Sequence, residues 1–189
     1  GSLSAIQGIG TDELKLEKTA NDFVCAFKNV YKNTKVCYSL KTNYLPWIAK
    51  KFYSLNIMPE VISGFELDIC KLIGIEEPII VNGPCKSIEE LLYAIENNYF
   101  IHVDNIDELD RIFFITEKYN LYSKVAIRLR PPGDSWKRFG IEYQSDNWDY
   151  FIKKIKSNNR VKLIGIHIHI GTGIIELDKY KNAAEFLLG

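Results

Sequence analysis

The chain has 189 residues, a length that predicts one domain or one large piece of a larger domain. Hydrophobic residues make up 47% and charged residues 25%, which is typical of globular proteins and excludes a disordered or fibrous chain. The 24 basic residues balance the 24 acidic ones, so no nucleic-acid or membrane partner is indicated by charge. No apolar run approaches the ~18 residues of a membrane span.

The chain opens on Gly1-Ser2, without a methionine, and we interpret residues 1–10 as a tag remnant and N-terminal segment. Residues 11–189 are then the folded domain. Four cysteines lie far apart with no Cys-x-x-Cys pair: Cys25, Cys37, Cys70 and Cys85. This spacing favours buried free thiols in a reducing compartment over disulfides or a zinc site, and it predicts a cytoplasmic protein.

In chain order, one amphipathic helix precedes six repeats of a strand followed by a helix. The predicted strands are Val36–Lys41, Met58–Ile62, Ile79–Asn82, Phe100–Asp104, Lys124–Arg130 and Val161–Ile170. Helix-start signals of the capping-box type follow three strands, at Ser63–Glu66, Ser87–Glu90 and Asn105–Glu108. Only Pro131–Ser145 is predicted to be a long irregular stretch. Six such units in a row indicate a parallel sheet, either doubly wound or a barrel.

Alternation along the strands separates these two architectures. Ile101 and Val103 oppose His102 and Asp104, and in the last strand Ile164, Ile166, Ile168 and Ile170 oppose Gly165, His167 and His169. A doubly wound sheet is covered by helices on both faces and is apolar on both. One apolar face and one small or polar face therefore favour a parallel (β/α) TIM-type barrel with a site at its mouth.

Nine polar side chains are predicted to converge on that mouth: Lys41, Glu60, Asn82, His102, Asp104, Arg128, Arg130, His167 and His169. Burial without partners would cost several kcal/mol each, so an enzyme site with a charged ligand explains them best. Singly, each also has an ordinary explanation: His102 and Asp104 could pair with each other, and Glu66 could be a capping residue.

Two chemistries fit this set of residues. A metal hydrolase would use His167 and His169, with His102 and Asp104 as further ligands, but three histidines in the whole chain are a small ligand supply. Schiff-base chemistry would use Lys41. A lysine enclosed in such a site has its charged form disfavoured, and the neutral amine attacks an aldehyde.

Seven motifs occur in the order found in one enzyme family. The segment Tyr38-Ser-Leu-Lys41-Thr-Asn43 resembles the Tyr-Ala-Val-Lys-Ala-Asn motif of the fold-type III pyridoxal-phosphate decarboxylases, the group of diaminopimelate, ornithine and arginine decarboxylases. The resemblance continues through Glu60-Val-Ile-Ser-Gly-Phe-Glu66, Asn82-Gly-Pro-Cys-Lys86, His102-Val-Asp104 with Glu108, Arg128-Leu-Arg130, Arg138-Phe-Gly-Ile141 and Gly165-Ile-His-Ile-His169-Ile-Gly-Thr172.

The resemblance implies an alanine-racemase-like barrel that binds pyridoxal 5'-phosphate and decarboxylates an α-amino acid. Lys41 would carry the cofactor as a Schiff base, His169 would stack on its ring, and Thr172 would lie beside it. Arg128 and Glu60 would line the site, Glu60 with a catalytic role. No metal is expected. Glu60 stands where aspartate is commoner, and Thr172 where serine is usual.

The same resemblance leaves two alternatives open, an amino-acid racemase using this cofactor and a non-catalytic carrier of it. The family pattern also implies a homodimer of the full-length enzyme. Because a closed barrel has eight βα units and only six are counted, we expect an incomplete, inactive barrel. The resemblance implies that the C-terminal β-domain of the family is also absent from it.

Overall fold

The computed structural model describes residues 12–76, 78–131 and 138–188, so the predicted segment 1–10 lies outside the described residues. The helices are α1 (Glu13–Val30), α2 (Pro46–Ser54), α3 (Gly64–Leu72), α4 (Ile88–Glu96), α5 (Ile106–Lys118), α6 (Asp146–Lys156) and α7 (Leu177–Leu188). The strands are β1 (Cys37–Ser39), β2 (Met58–Val61), β3 (Ile80–Val81), β4 (Phe100–Val103), β5 (Ser123–Arg130), β6 (Ile141–Glu142) and β7 (Val161–Ile168). None of these helices is long and apolar enough to cross a membrane.

Six of the strands form one parallel sheet in the order β1-β2-β3-β4-β5-β7. This confirms the predicted α/β class and the incomplete barrel-type sheet. Within the described residues β1 pairs only with β2 and β7 only with β5, which leaves two sheet edges. Each predicted strand is present, although most are shorter than predicted because pairing ends before the polar residues at the strand ends.

The prediction that Pro131–Ser145 is irregular is wrong in one part, because β6 lies within it. Leu129 of β5 pairs with Ile168 of β7 and also with Ile141 of β6. Since a strand has two edges, β6 must occupy the β4 edge of β5, beyond the point where β4 ends. Ile141 is 2% exposed, so its burial explains why a two-residue strand forms there.

Helix starts follow the capping signals in the sequence. Ser87 and Glu90 form a complete capping box at the start of α4. Before α3 and α5 the box is modified: Glu66 accepts a hydrogen bond from the N–H of Ile62, and Glu108 accepts one from the N–H of Asp104. Each glutamate thereby ties its helix to the end of the preceding strand, which fixes where the loop begins.

The hydrophobic core lies between the outer face of the sheet and the helices. Val61, Ile101 and Ile127 point outward from their strands and are fully buried, as are Leu91 and Ile112 on the facing helices. Burial of each such side chain contributes about 1.5–3 kcal/mol relative to exposure. The apolar outer face predicted from the alternation is therefore confirmed for β2, β4 and β5, whereas Ile164 and Ile166 of β7 are 44% and 46% exposed.

A one-residue irregularity interrupts the alternation of β7. Val125 pairs with Leu163, but its neighbour Ala126 pairs with Gly165, so Ile164 is an extra residue in β7. The predicted outward face of Ile164, Ile166, Ile168 and Ile170 therefore does not extend below the bulge, where Leu163 takes the outward position. The bulge also leaves Gly165 and His167 in register with the inward residues of β5.

The predicted burial of the cysteines is wrong for three of the four. All four thiols are free, but only Cys70 is buried, whereas Cys25, Cys37 and Cys85 are exposed. Cys37 lies on the inner face of β1, an edge of the described sheet, where nothing from a further strand covers it.

Candidate functional site

A cavity of about 520 Å³ lies at the carboxyl ends of the parallel strands. Its volume is within the range of about 300–1,000 Å³ that is usual for small-molecule sites. The side chains of four predicted cofactor residues line it together: Lys41, Arg128, His169 and Thr172. Asn82 and Arg130, two more of the nine predicted mouth residues, are also in the lining. Residues from four separate strand ends therefore meet at one site.

Lys41 lies in a 3₁₀ helix, Leu40–Thr42, directly after β1. Leu40 is fully buried and anchors this turn in the core. Lys41 itself is exposed, which corrects the expectation that it is enclosed. The physical reason is that β1 is an edge strand among the described residues, so no neighbouring strand covers its second side.

Glu60 contacts the cavity lining through Asn82 and is not itself a lining residue. Its Oε1 accepts a hydrogen bond of 2.8 Å from the amide Nδ2 of Asn82. An ionised carboxylate only accepts hydrogen bonds, so this contact fixes which end of the amide faces Glu60. The opposite atom, Asn82 Oδ1, is buried and has no hydrogen-bond partner among the described residues.

Two arginines on the inner face of β5 are each paired with a carboxylate. Arg128 donates to Asp104 at 2.6 Å, and Arg130 donates to Glu142 at 2.9 Å. The guanidinium of Arg128 also lies 5.3 Å from the ring centroid of Phe139, a cavity residue. Asp104 therefore pairs with Arg128, and the suggestion that it pairs with His102 is wrong.

His102 contacts another histidine instead. Its ring lies 4.6 Å from that of His167, between centroids. Burial is the main cause that lowers the pKa of His102 to about 3 and that of His167 to about 4, and nearby positive charge adds to both shifts. Both imidazoles are therefore neutral at pH 7.

His169 lies in the cavity lining, beyond the end of β7. Desolvation lowers its pKa, and the positive charges of Arg128 and Lys41 lower it further, against an opposing effect of Glu60. In the part of the chain that the structure describes, no three His, Cys, Asp or Glu residues are grouped so as to hold a metal ion.

The sequence indicated a capping role for Glu108, but it did not indicate the ion pair of 2.5 Å that Glu108 forms with Lys86. The side chains of Lys86 and Glu108 are 2% and 0% exposed. Lys86 Nζ also donates to the carbonyls of Gly83 and His102, at 2.7 and 2.8 Å. Both residues stand in the quoted family motifs, but local periodicity gives no signal for a partner 22 positions away.

The chain matches known proteins over most of its length. The family profile described as pyridoxal-dependent decarboxylase, pyridoxal binding domain, matches residues 16–189. Diaminopimelate decarboxylase of Aquifex aeolicus is 27% identical over 174 residues, which cover 85% of this chain and 41% of that protein. The L-glutamyl-[BtrI acyl-carrier protein] decarboxylase of Niallia circulans is 32% identical over 160 residues, which cover 75% of this chain and 37% of that protein.

A solved structure shows the same fold. The crystal structure of diaminopimelate decarboxylase from M. jannaschii, in co-complex with L-lysine, superposes with a TM-score of 0.86 at 26% identity. The match covers 93% of this chain and 44% of that one. The chain thus spans about two fifths of the length of these relatives. Since the profile match extends over nearly all of it, the chain belongs to the pyridoxal-dependent decarboxylase family, through the pyridoxal-binding domain.

Proposed function

We propose that this chain binds pyridoxal phosphate in the cavity, with Lys41 as the attachment residue, and that the natural protein decarboxylates an α-amino acid. The observation that carries the proposal is that Lys41, Arg128, His169 and Thr172 line a single cavity. The named relatives, decarboxylases of diaminopimelate and of an L-glutamyl acyl-carrier protein, support an amino-acid substrate. We also propose that the full natural protein is a homodimer, in keeping with the family resemblance.

The residues present fit this cofactor. Lys41 supplies the primary amine that an aldehyde requires, and Arg128 supplies guanidinium N–H donors beyond the one that binds Asp104. Asn82 Oδ1 is an acceptor without a partner among the described residues, at the same wall. Gly83 keeps that wall open, because a Cβ there would lie 2.9 Å from the carbonyl oxygen of Ile62.

When bound, pyridoxal phosphate supplies an aldehyde carbon and a ring that accepts the electron pair released on loss of CO2. The protein residues hold and orient it. Lys41 Nζ provides covalent attachment, and on release it can carry a proton to or from the reacting carbon. The exposure of Lys41 leaves its amine accessible to an incoming substrate.

His169 and Arg128 serve orientation in this proposal. The lowered pKa of His169 favours its neutral imidazole, which offers a flat face against which a planar ring can stack. The neutral ring carries one N–H, whereas the protonated ring would carry two and a positive charge. Arg128 cannot give up a proton, and its contacts with Asp104 and Phe139 hold it in place. Glu60 orients Asn82 through their hydrogen bond.

Borohydride reduction of the full natural protein, loaded with pyridoxal phosphate, tests the attachment. Peptide mapping should find the adduct on Lys41, and Lys41→Ala should abolish both the adduct and the release of CO2 from amino acids. Lys50→Ala is the matched control, because Lys50 is an exposed lysine that lines a different cavity. An adduct at another lysine, or full activity of Lys41→Ala, would contradict the proposal. Binding without CO2 release would favour the carrier alternative.

A further inference from the structure

Lys86 and Glu108 lie outside the cavity lining but are connected to it on two sides. Both are almost completely buried, so all their hydrogen-bonding capacity must be met inside the protein. The lysine reaches toward the loop after β3, and the glutamate reaches toward the end of β4. The pair therefore joins two strand ends that contribute to the site.

We propose that the buried Lys86–Glu108 ion pair is a positioning device for the cofactor cavity, which sets the Gly83–Pro84 wall and the location of Arg128. This inference rests on the proposed function, because it takes the cofactor to lie in that cavity. Neither residue is a catalytic residue, since neither lines the cavity.

The first connection runs through the lysine. Lys86 Nζ donates to the carbonyl oxygen of Gly83 at 2.7 Å, and Gly83 and Pro84 both line the cavity. Gly83 has a φ of +96°, which glycine adopts readily, so the contact with Lys86 selects one of several conformations open to this residue. The same ammonium donates to the carbonyl of His102 at 2.8 Å. One charged group thus holds the ends of β3 and β4 at a fixed separation.

The second connection runs through the glutamate. Glu108 Oε2 accepts a hydrogen bond of 2.9 Å from the N–H of Asp104, and the Asp104 carboxylate accepts one of 2.6 Å from Arg128. Asn105 caps the N–H of Glu108 at 2.9 Å, so the carboxylate is held at the first turn of α5. The location of Arg128 in the cavity therefore depends on a short, buried chain of contacts that ends at Glu108.

Stability alone does not explain why an ion pair occupies this place. Replacing a buried ion pair with apolar residues of similar volume is often neutral or stabilising, whereas removing one partner is strongly destabilising. An apolar pair would fill the same space. It would leave the Gly83 and His102 carbonyls and the Asp104 N–H without their partners. Gly83 lines the cavity, and Asp104 pairs with Arg128, which also lines it.

The double variant K86M–E108M separates positioning from stability. We expect its urea midpoint to fall, because three backbone groups lose their partners, and we expect the amide of Asp104 to exchange its hydrogen at least about tenfold faster than that loss of global stability accounts for. We also expect pyridoxal phosphate affinity to fall about tenfold or more, the usual scale for loss of groups that orient a binding residue. The control is K18M–D22M, which removes an exposed ion pair on α1 and should change none of these three quantities.

Unchanged Asp104 exchange together with wild-type affinity in the double variant would overturn the inference. If that variant does not fold, the same two measurements, Asp104 exchange and cofactor affinity, are made on the single variants E108Q and E108D. E108Q keeps an acceptor for the Asp104 N–H, whereas E108D is one methylene shorter and cannot reach both partners. We expect E108D alone to show fast exchange and weak affinity, and equal behaviour of the two would count against positioning. Wild type that takes up no cofactor on Lys41 would refute the proposed function, while the exchange measurement, made without cofactor, would still decide the inference.

Discussion

The imidazole rings of His102 and His167 lie 4.6 Å apart although their strands are not neighbours in the sheet. β5 runs between them, and its inward residue there is Ala126, which pairs with His102 on β4 and with Gly165 on β7. Because Ala126 and Gly165 are small, the rings can meet across β5. The contact buries two titratable groups beside the candidate site.

This contact predicts acid sensitivity. Both histidines have folded-state pKa values, about 3 and about 4, below the ordinary value of 6.5, so the unfolded chain binds their protons first. Their contribution to stability is fully present above pH 6.5 and is lost as the pH falls through about 4 for His167 and about 3 for His102. Because two protons are involved, the free energy of unfolding changes by at most about 2.7 kcal/mol per pH unit from this cause.

Urea unfolding of wild type and of the H102N–H167N variant between pH 7 and pH 5 checks this expectation. The variant should lose less stability than wild type over that interval, whatever its stability at pH 7. The difference in slope isolates the histidines from the carboxylates, which titrate in both proteins. Identical slopes would mean that the two imidazoles bind protons equally well in the folded and unfolded chains, which would contradict the expectation.

Removing the partner of Arg128 should be costly. Asp104→Ala leaves the guanidinium, 12% exposed, without its carboxylate, and we expect a loss of about 3–5 kcal/mol in the free energy of unfolding. Asp68→Ala is the control, because Asp68 pairs with Lys71 at the surface and should lose less than about 1 kcal/mol. Chemical denaturation measures both, and a loss at Asp104 as small as the control would show that Arg128 finds another partner.

Two glycines with positive φ test the shape of the cavity wall. Gly74 has a φ of +73°, and a Cβ added there would meet nothing within 4 Å, so Gly74→Ala should lose only the conformational cost of about 1–2 kcal/mol. Gly83→Ala adds a contact of 2.9 Å with the Ile62 carbonyl to a φ of +96°. We expect a larger loss of stability at Gly83 in chemical denaturation, together with weaker ligand binding. Equal losses at both positions would indicate that the loop relaxes.

The capping box of α4 should contribute measurably. Ser87→Ala removes the acceptor for the Glu90 N–H, and we expect a loss of about 1 kcal/mol in the free energy of unfolding. Ser54→Ala is the matched control, because Ser54 at the end of α2 donates to the Lys51 carbonyl and caps no helix start. A loss at Ser87 no larger than at Ser54 would mean that solvent replaces the cap.

Local patterns were sufficient to predict the strands and the end of the sheet at which the site lies. His102 and Asp104 alternate with Ile101 and Val103, and this alone places them on the inner face. Because all six main strands are parallel, their carboxyl ends meet, and side chains that follow different strands come together at one cavity.

Pairing between distant residues could not be predicted in the same way. Asp104 binds Arg128 and Glu108 binds Lys86, yet the sequence patterns allowed Asp104 to pair with His102 just as well. The exposure of Lys41 was also missed, because it depends on which strands cover β1 and not on the residues of β1. β6 has only two residues, too few for any alternation to be visible.

The extra residue in β7 has a consequence for inserting or deleting residues in this protein. Before Ile164 the odd-numbered residues of β7 face the helices, and after Ile164 the even-numbered residues do. Deleting Ile164 alone would remove the bulge and leave His167 and His169 on the inner face, because Leu163 and Gly165 would then be consecutive residues paired with Val125 and Ala126. Alignments of this segment should therefore place gaps of one residue at Leu163–Ile164, where the strand already absorbs one, and nowhere else along it.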